Sequence, residues 1–396
     1  MLLDKVLQRI IREGNLSVEY AAGHVRRYGN GTGPSVRIRF HDRRAEFAAG
    51  LWPRLKIAEA YVDGRMTIEE GTLSEFLYTT GRNLVSVDQG AIATLVRLLG
   101  ASVNLVATYN PIGRAQRNVA HHYDLDRAFF TTFLDKDLQY SCAYFRNPDD
   151  DLETAQHDKK EYIARKLRLE PGLRVLDIGS GWGGLAIHLA QHHGCSVLGV
   201  TLSQEQYAVS RERVADAGLE DLIEIRLLDY RLLSEQFDRI VSVGMFEHLG
   251  KAHFDEYFRK LKTLLADDGV ALVHTIGRMG TPEPISPWMR RYIFPGAYLP
   301  TMSEITGAVE KQWLWVNDFE IWRQHYANTL LHWNRRFQEN RDKIARIYDE
   351  RFCRMWELYL IGCEMSFRIQ ELCVFQVQLS KRNDIVPLTR DYLYQY

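Results

Sequence analysis

Residues 174–184 read Arg174-Val175-Leu176-Asp177-Ile178-Gly179-Ser180-Gly181-Trp182-Gly183-Gly184. A short apolar run enters a glycine-rich turn, and a helical pattern over 183–193 leaves it. Glycines there let the backbone approach a ligand closely, and Asp177 beneath the turn can accept or orient hydrogen bonds. Further β-branched apolar runs follow at 196–202, 237–244 and 270–276, with a shorter one at 222–228. Helical patterns at 203–217 and 251–265 lie between them. Strand–helix alternation of this kind predicts an α/β domain, a parallel sheet with helices on both faces.

On the N-terminal side, Leu2, Leu3, Val6, Leu7, Ile10 and Ile11 fall at helical spacing, and Gly14-Asn15 ends the pattern. Residues 35–48, with Val36, Ile38 and Phe40 alternating, predict a strand. Residues 57–62 and 73–80 predict short helices around Asp63-Gly64. A helical stretch at 88–107 runs into Asn110-Pro111-Ile112-Gly113, which reads as a linker. On the C-terminal side, 303–376 is mostly helical, with strands expected at 313–318 and 373–380. The expected organisation is a smaller, mixed helical N-terminal domain over 1–105, a linker over 106–118 and a catalytic domain over 119–396.

The chain has 396 residues, with 50 Lys and Arg against 51 Asp and Glu. With 46% apolar and 26% charged residues it has a globular composition, and its length suits two domains. No apolar run approaches the roughly 18 residues of a membrane span. Met1-Leu2-Leu3-Asp4-Lys5 lacks the basic start and apolar stretch of a signal peptide. Five cysteines, odd in number and without CxxC spacing, argue against a disulfide framework or zinc ribbon and for a reducing cytoplasm. Neutral net charge argues against a nucleic-acid partner.

A dinucleotide site needs G-x-G-x-x-G and an acid about 20 residues on. Here the pattern is D-x-G-x-G-x-G, which resembles the turn of S-adenosylmethionine-dependent methyltransferases; glycines serving only helix–strand packing are the alternative. The second strand ends in Thr201-Leu202-Ser203-Gln204-Glu205-Gln206, without the acid that usually meets ribose. Hydroxyl and amide groups can bond ribose instead. After the third strand, Asp229-Tyr230-Arg231 offers a carboxylate for the exocyclic amine of adenine, or one that stabilises the loop.

From about residue 50 onward the chain resembles the cyclopropane-fatty-acyl-phospholipid synthases. The carriers are His122-Tyr123-Asp124, Gln139-Tyr140-Ser141-Cys142-Ala143-Tyr144, the turn itself, Asp229-Tyr230-Arg231, Asp238 to His248 (DRIVSVGMFEH), His274-Thr275-Ile276-Gly277 and Tyr292-Ile293-Phe294-Pro295. One departure stands within the turn, where Ser180 replaces a cysteine common in the family. The resemblance implies a Rossmann-like, seven-stranded class I methyltransferase domain with S-adenosylmethionine as cofactor. The substrate it implies is a cis double bond in an unsaturated membrane phospholipid. Methyl transfer to the alkene gives a carbocation, a proton leaves the new methyl group, and a cyclopropane closes, with bicarbonate as base. By motif position the bicarbonate cage is Cys142 and Ile276 through their backbone, Glu247, His274 and Tyr326. The cofactor set is Tyr140, Ser141, Asp177, Gly179, Gly181, Trp182, Thr201, Ser203, Gln206, Asp229, Tyr230, Arg231 and Phe246.

Residue chemistry agrees with that outline. An alkene is a weak nucleophile, so the site must align it and exclude water. Aromatic faces stabilise a cation, with Tyr140, Tyr144, Phe145, Phe246, Trp288 and Tyr326 as candidates. A fixed anion, Glu247, adds a larger electrostatic contribution. His274 in an apolar strand is otherwise a satisfied core histidine, and Glu247 otherwise a helix-capping acid. Cys142 is not expected to be a nucleophile; Cys363, in a helical stretch, matches a family cysteine, with a catalytic role as the lesser alternative. His192-His193 and Glu247-His248 lack metal-ligand spacing, so no metal is expected.

Between residues 24 and 56 stand eight basic residues, Arg26, Arg27, Arg37, Arg39, Arg43, Arg44, Arg54 and Lys56, against Asp42 and Glu46. With the 2–11 helix they suggest a first domain that docks reversibly on anionic lipid; a solvated face and a core helix are the alternative. The insertion 285–301 is expected to border an acyl tunnel, with Arg290-Arg291 near the lipid phosphate. A cytoplasmic, peripherally membrane-associated enzyme is expected, with homodimerisation left open. The competitors are a methyl-branched product, amine N-methylation and a non-catalytic lipid-binding paralogue.

Overall fold

A computed structural model describes residues 1–87 and 126–394. The expected helix at 88–107, the linker and His122-Tyr123-Asp124 lie outside these residues. The described chain divides into two compact units, one from residues 1–87, 284–295 and 330–371 and the other from 126–283, 296–329 and 372–394.

The first unit holds a four-stranded sheet in the order β2-β1-β3-β4, from β1 Asn15–Glu19, β2 Val25–Tyr28, β3 Ser35–Phe40 and β4 Met66–Glu70. The expected strand over 35–48 stops at Phe40. Asp42 then caps the helix Arg43–Leu51 by accepting from Ala45 N at 2.8 Å, and the Arg65 guanidinium grips the same carboxylate at 2.7 and 2.5 Å. That fork holds the Asp42 carboxyl at about 2, and such a cap stabilises a helix start by about 1 kcal/mol. The remaining strands were not expected; β2 is exposed except at Tyr28, so it leaves no apolar alternation to read. Helices from late in the chain complete the unit. Pro287–Tyr292 packs on Pro53–Val62, and Glu350–Ile369 on Pro53–Val62 and Leu73–Val87. Tyr292 and Tyr61 fasten them by donating to Glu59 at 2.8 Å and Glu357 at 2.9 Å. The spatial division is therefore not collinear with the chain.

The second unit is built on β5 Arg174–Ile178, β6 Ser196–Thr201, β7 Ile223–Leu227, β8 Phe237–Val243, β9 Leu265–Arg278, β10 Trp315–Trp322 and β11 Leu372–Ser380. The seven strands run in the order β10-β11-β9-β8-β5-β6-β7. From β9 to β7 all neighbours are parallel, while β11 joins β9 and β10 joins β11 antiparallel. The expected parallel sheet is thus mixed, because β11 alone runs against the other strands, between β9 and β10. β5 and β8, near the middle, are buried on both faces, which explains their continuous apolar runs. At the β10 edge, Lys166 is fully buried between Asp318 at 2.9 Å and Glu320 at 2.5 Å.

A candidate cofactor cavity and an adjoining carboxyl cluster

The chain reverses after β5 through Gly179, Gly181 and Gly183, all at positive φ. A side chain at those angles is strained, and a Cβ on Gly184 would stand 2.5 Å from the Gln139 amide. Arg213 fixes the turn by donating to Trp182 O at 2.7 Å and to Asp137 at 2.5 Å, and Lys160 grips Asp137 from the other side. The helix Gly184–His193 leaves the turn. The cavity here opens at the carboxyl ends of β5, β6 and β8, where open α/β sheets place ligands.

Tyr140, Ser141, Asp177, Gly179, Gly181 and Trp182 all stand on its wall. So do Thr201, Gln206, Asp229, Tyr230 and Arg231. Thr201 Oγ1 donates to Gln206 Oε1 at 2.9 Å, leaving the Gln206 amide nitrogen to face a ligand. Arg231 holds Asp229 bidentately at 2.9 and 2.7 Å, so Asp229 stabilises the loop while standing on the cavity wall. Three wall atoms are buried without a hydrogen-bond partner, Asp177 Oδ2, Ser180 Oγ and Trp182 Nε1. An orphaned buried polar group costs about 1–3 kcal/mol, so the wall is built to receive a polar ligand. Burial pushes the Asp177 carboxyl up to about 7, opposed by the charge of Lys159.

Two of the expected residues are off the wall. Ser203 is turned to cap the helix Gln204–Asp216, accepting from Gln206 N at 3.2 Å. The turn Phe246–His248 directs Phe246 inward, where its ring lies 4.4 Å from Phe254 and 5.0 Å from Tyr257. Its neighbours Met245 and His248 are on the wall instead. Lys159 was missed by the sequence reading. It is 1% exposed, stands on the wall, and donates to Gln139 Oε1 at 2.7 Å and Ser141 Oγ at 2.8 Å. The signal was faint: one residue of a Lys159-Lys160 pair in a polar helix.

Glu247 sits between wall residues Met245 and His248 but points elsewhere. Its Oε1 accepts from Ile276 N at 2.5 Å, and its Oε2 is buried without a partner. Burial lifts this carboxyl to about 7, with the Ile276 amide pulling the other way. The Ile276 amide, expected to face bicarbonate, is thus spent on Glu247. Two residues earlier on β9, and so on the same side of the strand, His274 Nδ1 is bonded by Gln376 Nε2 at 3.0 Å; burial drives its basicity well below the ordinary range. Its ring lies edge-on to Trp322 at 5.2 Å, and Trp322 meets Tyr144 at 4.9 Å. Cys142 is fully buried, its Sγ 3.3 Å from Ala143 O, and burial raises its thiol far above the ordinary value. Ala143 N donates to Thr329, one turn beyond Tyr326, at 3.0 Å. Ring contacts therefore run from Tyr144 through Trp322 to His274. Trp288 and Arg290-Arg291 belong to the other unit, where Arg291 pairs with Glu59 at 3.5 Å.

This sheet order, with a glycine turn and cavity at its carboxyl edge, defines a class I S-adenosylmethionine-dependent methyltransferase. Residues 112–377 match the model of the mycolic acid cyclopropane synthetase family, and residues 2–88 that of a domain of unknown function. The cyclopropane-fatty-acyl-phospholipid synthase of Escherichia coli (strain K12) is 44% identical over 260 residues, 66% of either chain, just under two thirds of its length. The tuberculostearic acid methyltransferase UfaA1 of Mycobacterium tuberculosis is 34% identical over 95% of this chain and 90% of its own. The structure of mycolic acid cyclopropane synthase CmaA1 complexed with SAH and CTAB aligns with a TM-score of 0.64 and 32% identity, over 68% of this chain and 98% of that one. The chain belongs to the mycolic acid cyclopropane synthetase family.

Proposed function

We propose that this enzyme methylates a cis double bond of an unsaturated phospholipid acyl chain and closes a cyclopropane ring, working at a membrane surface. The observation that carries the reading is Glu247: a buried carboxyl with one oxygen unsatisfied, held by the Ile276 amide in the turn that also carries the cavity-wall residues Met245 and His248. S-adenosylmethionine supplies an electrophilic methyl group. Asp177, Ser180 and Trp182 offer their unpartnered atoms to its polar groups, Gln206 and Thr201 suit ribose, and Asp229 suits the adenine amine. Lys159 is the countercharge for its carboxylate. Among the described residues its ammonium hydrogen-bonds the neutral Gln139 and Ser141, so one N–H remains for an anion; burial lowers its basicity to about 8, opposed by the charge of Asp135, and a bound carboxylate would favour the charged form.

Bicarbonate, as the resemblance implies, suits the second cluster, where it would supply a base. At neutral pH Glu247 is poised between its charged and neutral forms, so its Oε2 can hold a proton shared with an anion. His274 and Tyr326 would orient the ion, with Cys142 through its backbone. The part expected of Ile276 is recast: its amide positions Glu247. A carboxyl group and aromatic rings in a dry site favour a substrate cation over water attack.

Membrane contact has its own support in the first unit. Phe47, Leu51 and Trp52 are 61%, 54% and 66% exposed. Arg43, Phe47 and Leu51 lie four residues apart on one helix face, flanked by exposed Arg44 and Arg54. Rings and aliphatic side chains ringed by arginines fit an anionic bilayer surface, each cation contributing roughly 1 kcal/mol. Among the described residues no helix is long and apolar enough to cross a membrane.

A methyl-branched product is the second reading, favoured by the near full-length likeness to a tuberculostearic acid methyltransferase. The test of the function is incubation with unsaturated phospholipid vesicles and the methyl donor, followed by mass spectrometry of the acyl chains. The expected result is the gain of one CH₂ with loss of the double bond. Unchanged acyl chains beside a methylated amine overturn the proposal.

A further inference from the structure

The helices Leu152–Leu167 and Gly184–His193 pack together in the second unit, and their contact carries donors that the reaction does not use. His157 and Glu161 are four residues apart on the first helix; His188 and His192 are four apart on the second, followed by His193. On a helix that spacing places two side chains on one face. The two faces meet. His188 Nε2 lies 2.8 Å from Glu161 Oε1, and His193 Nε2 lies 3.4 Å from the same oxygen. One ligand atom from each of Glu161, His188 and His193 falls within 4.8 Å of the others. His193 Nε2 is buried, and Glu161 Oε1 at 3.4 Å does not give it a well-aligned hydrogen bond. Two further imidazoles border the group: the His157 ring is 5.3 Å and the His192 ring 4.7 Å from that of His188.

The geometry points to a binding site for one divalent ion of the zinc–cobalt–nickel class, held by Glu161, His188 and His193, with His157 or His192 in reach as a fourth ligand. Imidazole donors select such ions over magnesium or calcium, which prefer oxygen. Zinc takes nitrogen and carboxylate oxygen at about 2.0–2.2 Å, which sets tetrahedral ligand atoms roughly 3.3–3.5 Å apart. The His193–Glu161 separation of 3.4 Å already matches that distance, and the His188–Glu161 pair would open from 2.8 Å as the ion replaces their hydrogen bond. His188 is buried and Glu161 half-buried, while His157 and His192 are exposed, so the site is fixed at its base and open to solvent at its mouth. Read along the chain, His192-His193 gives no ligand spacing, because the carboxylate comes from the other helix. The ion ties together two helices that each reach the cofactor cavity, through Lys159 on one and Gly184 and Leu185 on the other.

The test uses the full chain stripped with a chelator and titrated calorimetrically with Zn²⁺, then loaded with Co²⁺ for absorption spectroscopy. The account predicts one Zn²⁺ per chain, a rise in Tm on loading, and cobalt d–d bands without thiolate charge transfer. His193→Ala and Glu161→Gln, both at incompletely buried positions, should each keep the fold by circular dichroism and weaken Zn²⁺ binding at least tenfold. An absence of stoichiometric binding, affinity unchanged in both variants, or a thiolate band placing the ion on a cysteine overturns the inference.

Discussion

Lys159 and Glu247 make opposite demands on burial. A buried ammonium without a hydrogen-bonded carboxylate is costly to keep, and a bound carboxylate would repay it. Lys159→Met keeps the length and removes the charge. We expect the variant to fold and its Kd for S-adenosylhomocysteine, measured calorimetrically, to rise about 10- to 100-fold, or roughly 1.4–2.8 kcal/mol; an unchanged Kd contradicts the role. For Glu247 the folded-state pKa is raised from 4.5 to about 7, so the protonated form is the one the fold favours. Its contribution is fully present below pH 4.5 and is lost as pH rises through 7. Glu247→Gln keeps an acceptor for the Ile276 amide and cannot ionise. It should match the wild type in stability near pH 4 and exceed it at pH 8 by up to about 3 kcal/mol, read from denaturant midpoints. The same variant should lose about 100-fold in kcat while binding S-adenosylhomocysteine normally. The residues of the glycine turn were legible because chain geometry ties glycine to one backbone form. Lys159 was not, because a lysine beside another lysine on a polar helix has the same sequence appearance whether its ammonium meets water or a cavity.

Elements repeat the contrast. The buried strands β5, β6 and β8 and the helices between them stand where their apolar runs put them, since both faces of the sheet are covered. The strands of the first unit were obscured by length and exposure: β2 has four residues and one buried side chain, and β4 has five, of which only Met66 is buried. Asp42 ended the expected strand at Phe40, a signal present in the sequence as an N-cap residue but outweighed there by alternation. The helix Arg43–Leu51 then exposes Phe47 and Leu51, which the sequence reading did not single out; it looked to charge and to the 2–11 helix, whose Leu3, Leu7 and Ile11 are buried instead. Phe47→Ser with Trp52→Ser should cut sedimentation with anionic phospholipid vesicles several-fold without lowering Tm, because both side chains are already in water. Reversing Arg43 and Arg44 to Glu should do the same and abolish the salt dependence of binding. Unaltered vesicle binding in both variants contradicts docking by this helix.

At the scale of the molecule, a chain with near-zero net charge separates into two units of unlike composition and, we propose, unlike tasks. The first interleaves segments from both ends of the sequence, which no reading along the chain could join, because Glu350–Ile369 finds its partners nearly 300 residues upstream. The second carries the sheet, the cavity and the carboxyl cluster. The central claim is that the acyl chain gains a methylene and not a methyl. Incubating the enzyme with unsaturated phospholipid vesicles and a donor labelled as CD₃, then weighing the acyl chains, tests it directly. Closing a ring expels one hydrogen from the transferred group and consumes the double bond, so the account predicts a product that has gained CD₂ and is saturated at that position. A product that keeps all three deuterons, or one that gains CD₂ with an unsaturation retained, contradicts it and makes the enzyme a methyl- or methylene-branching one.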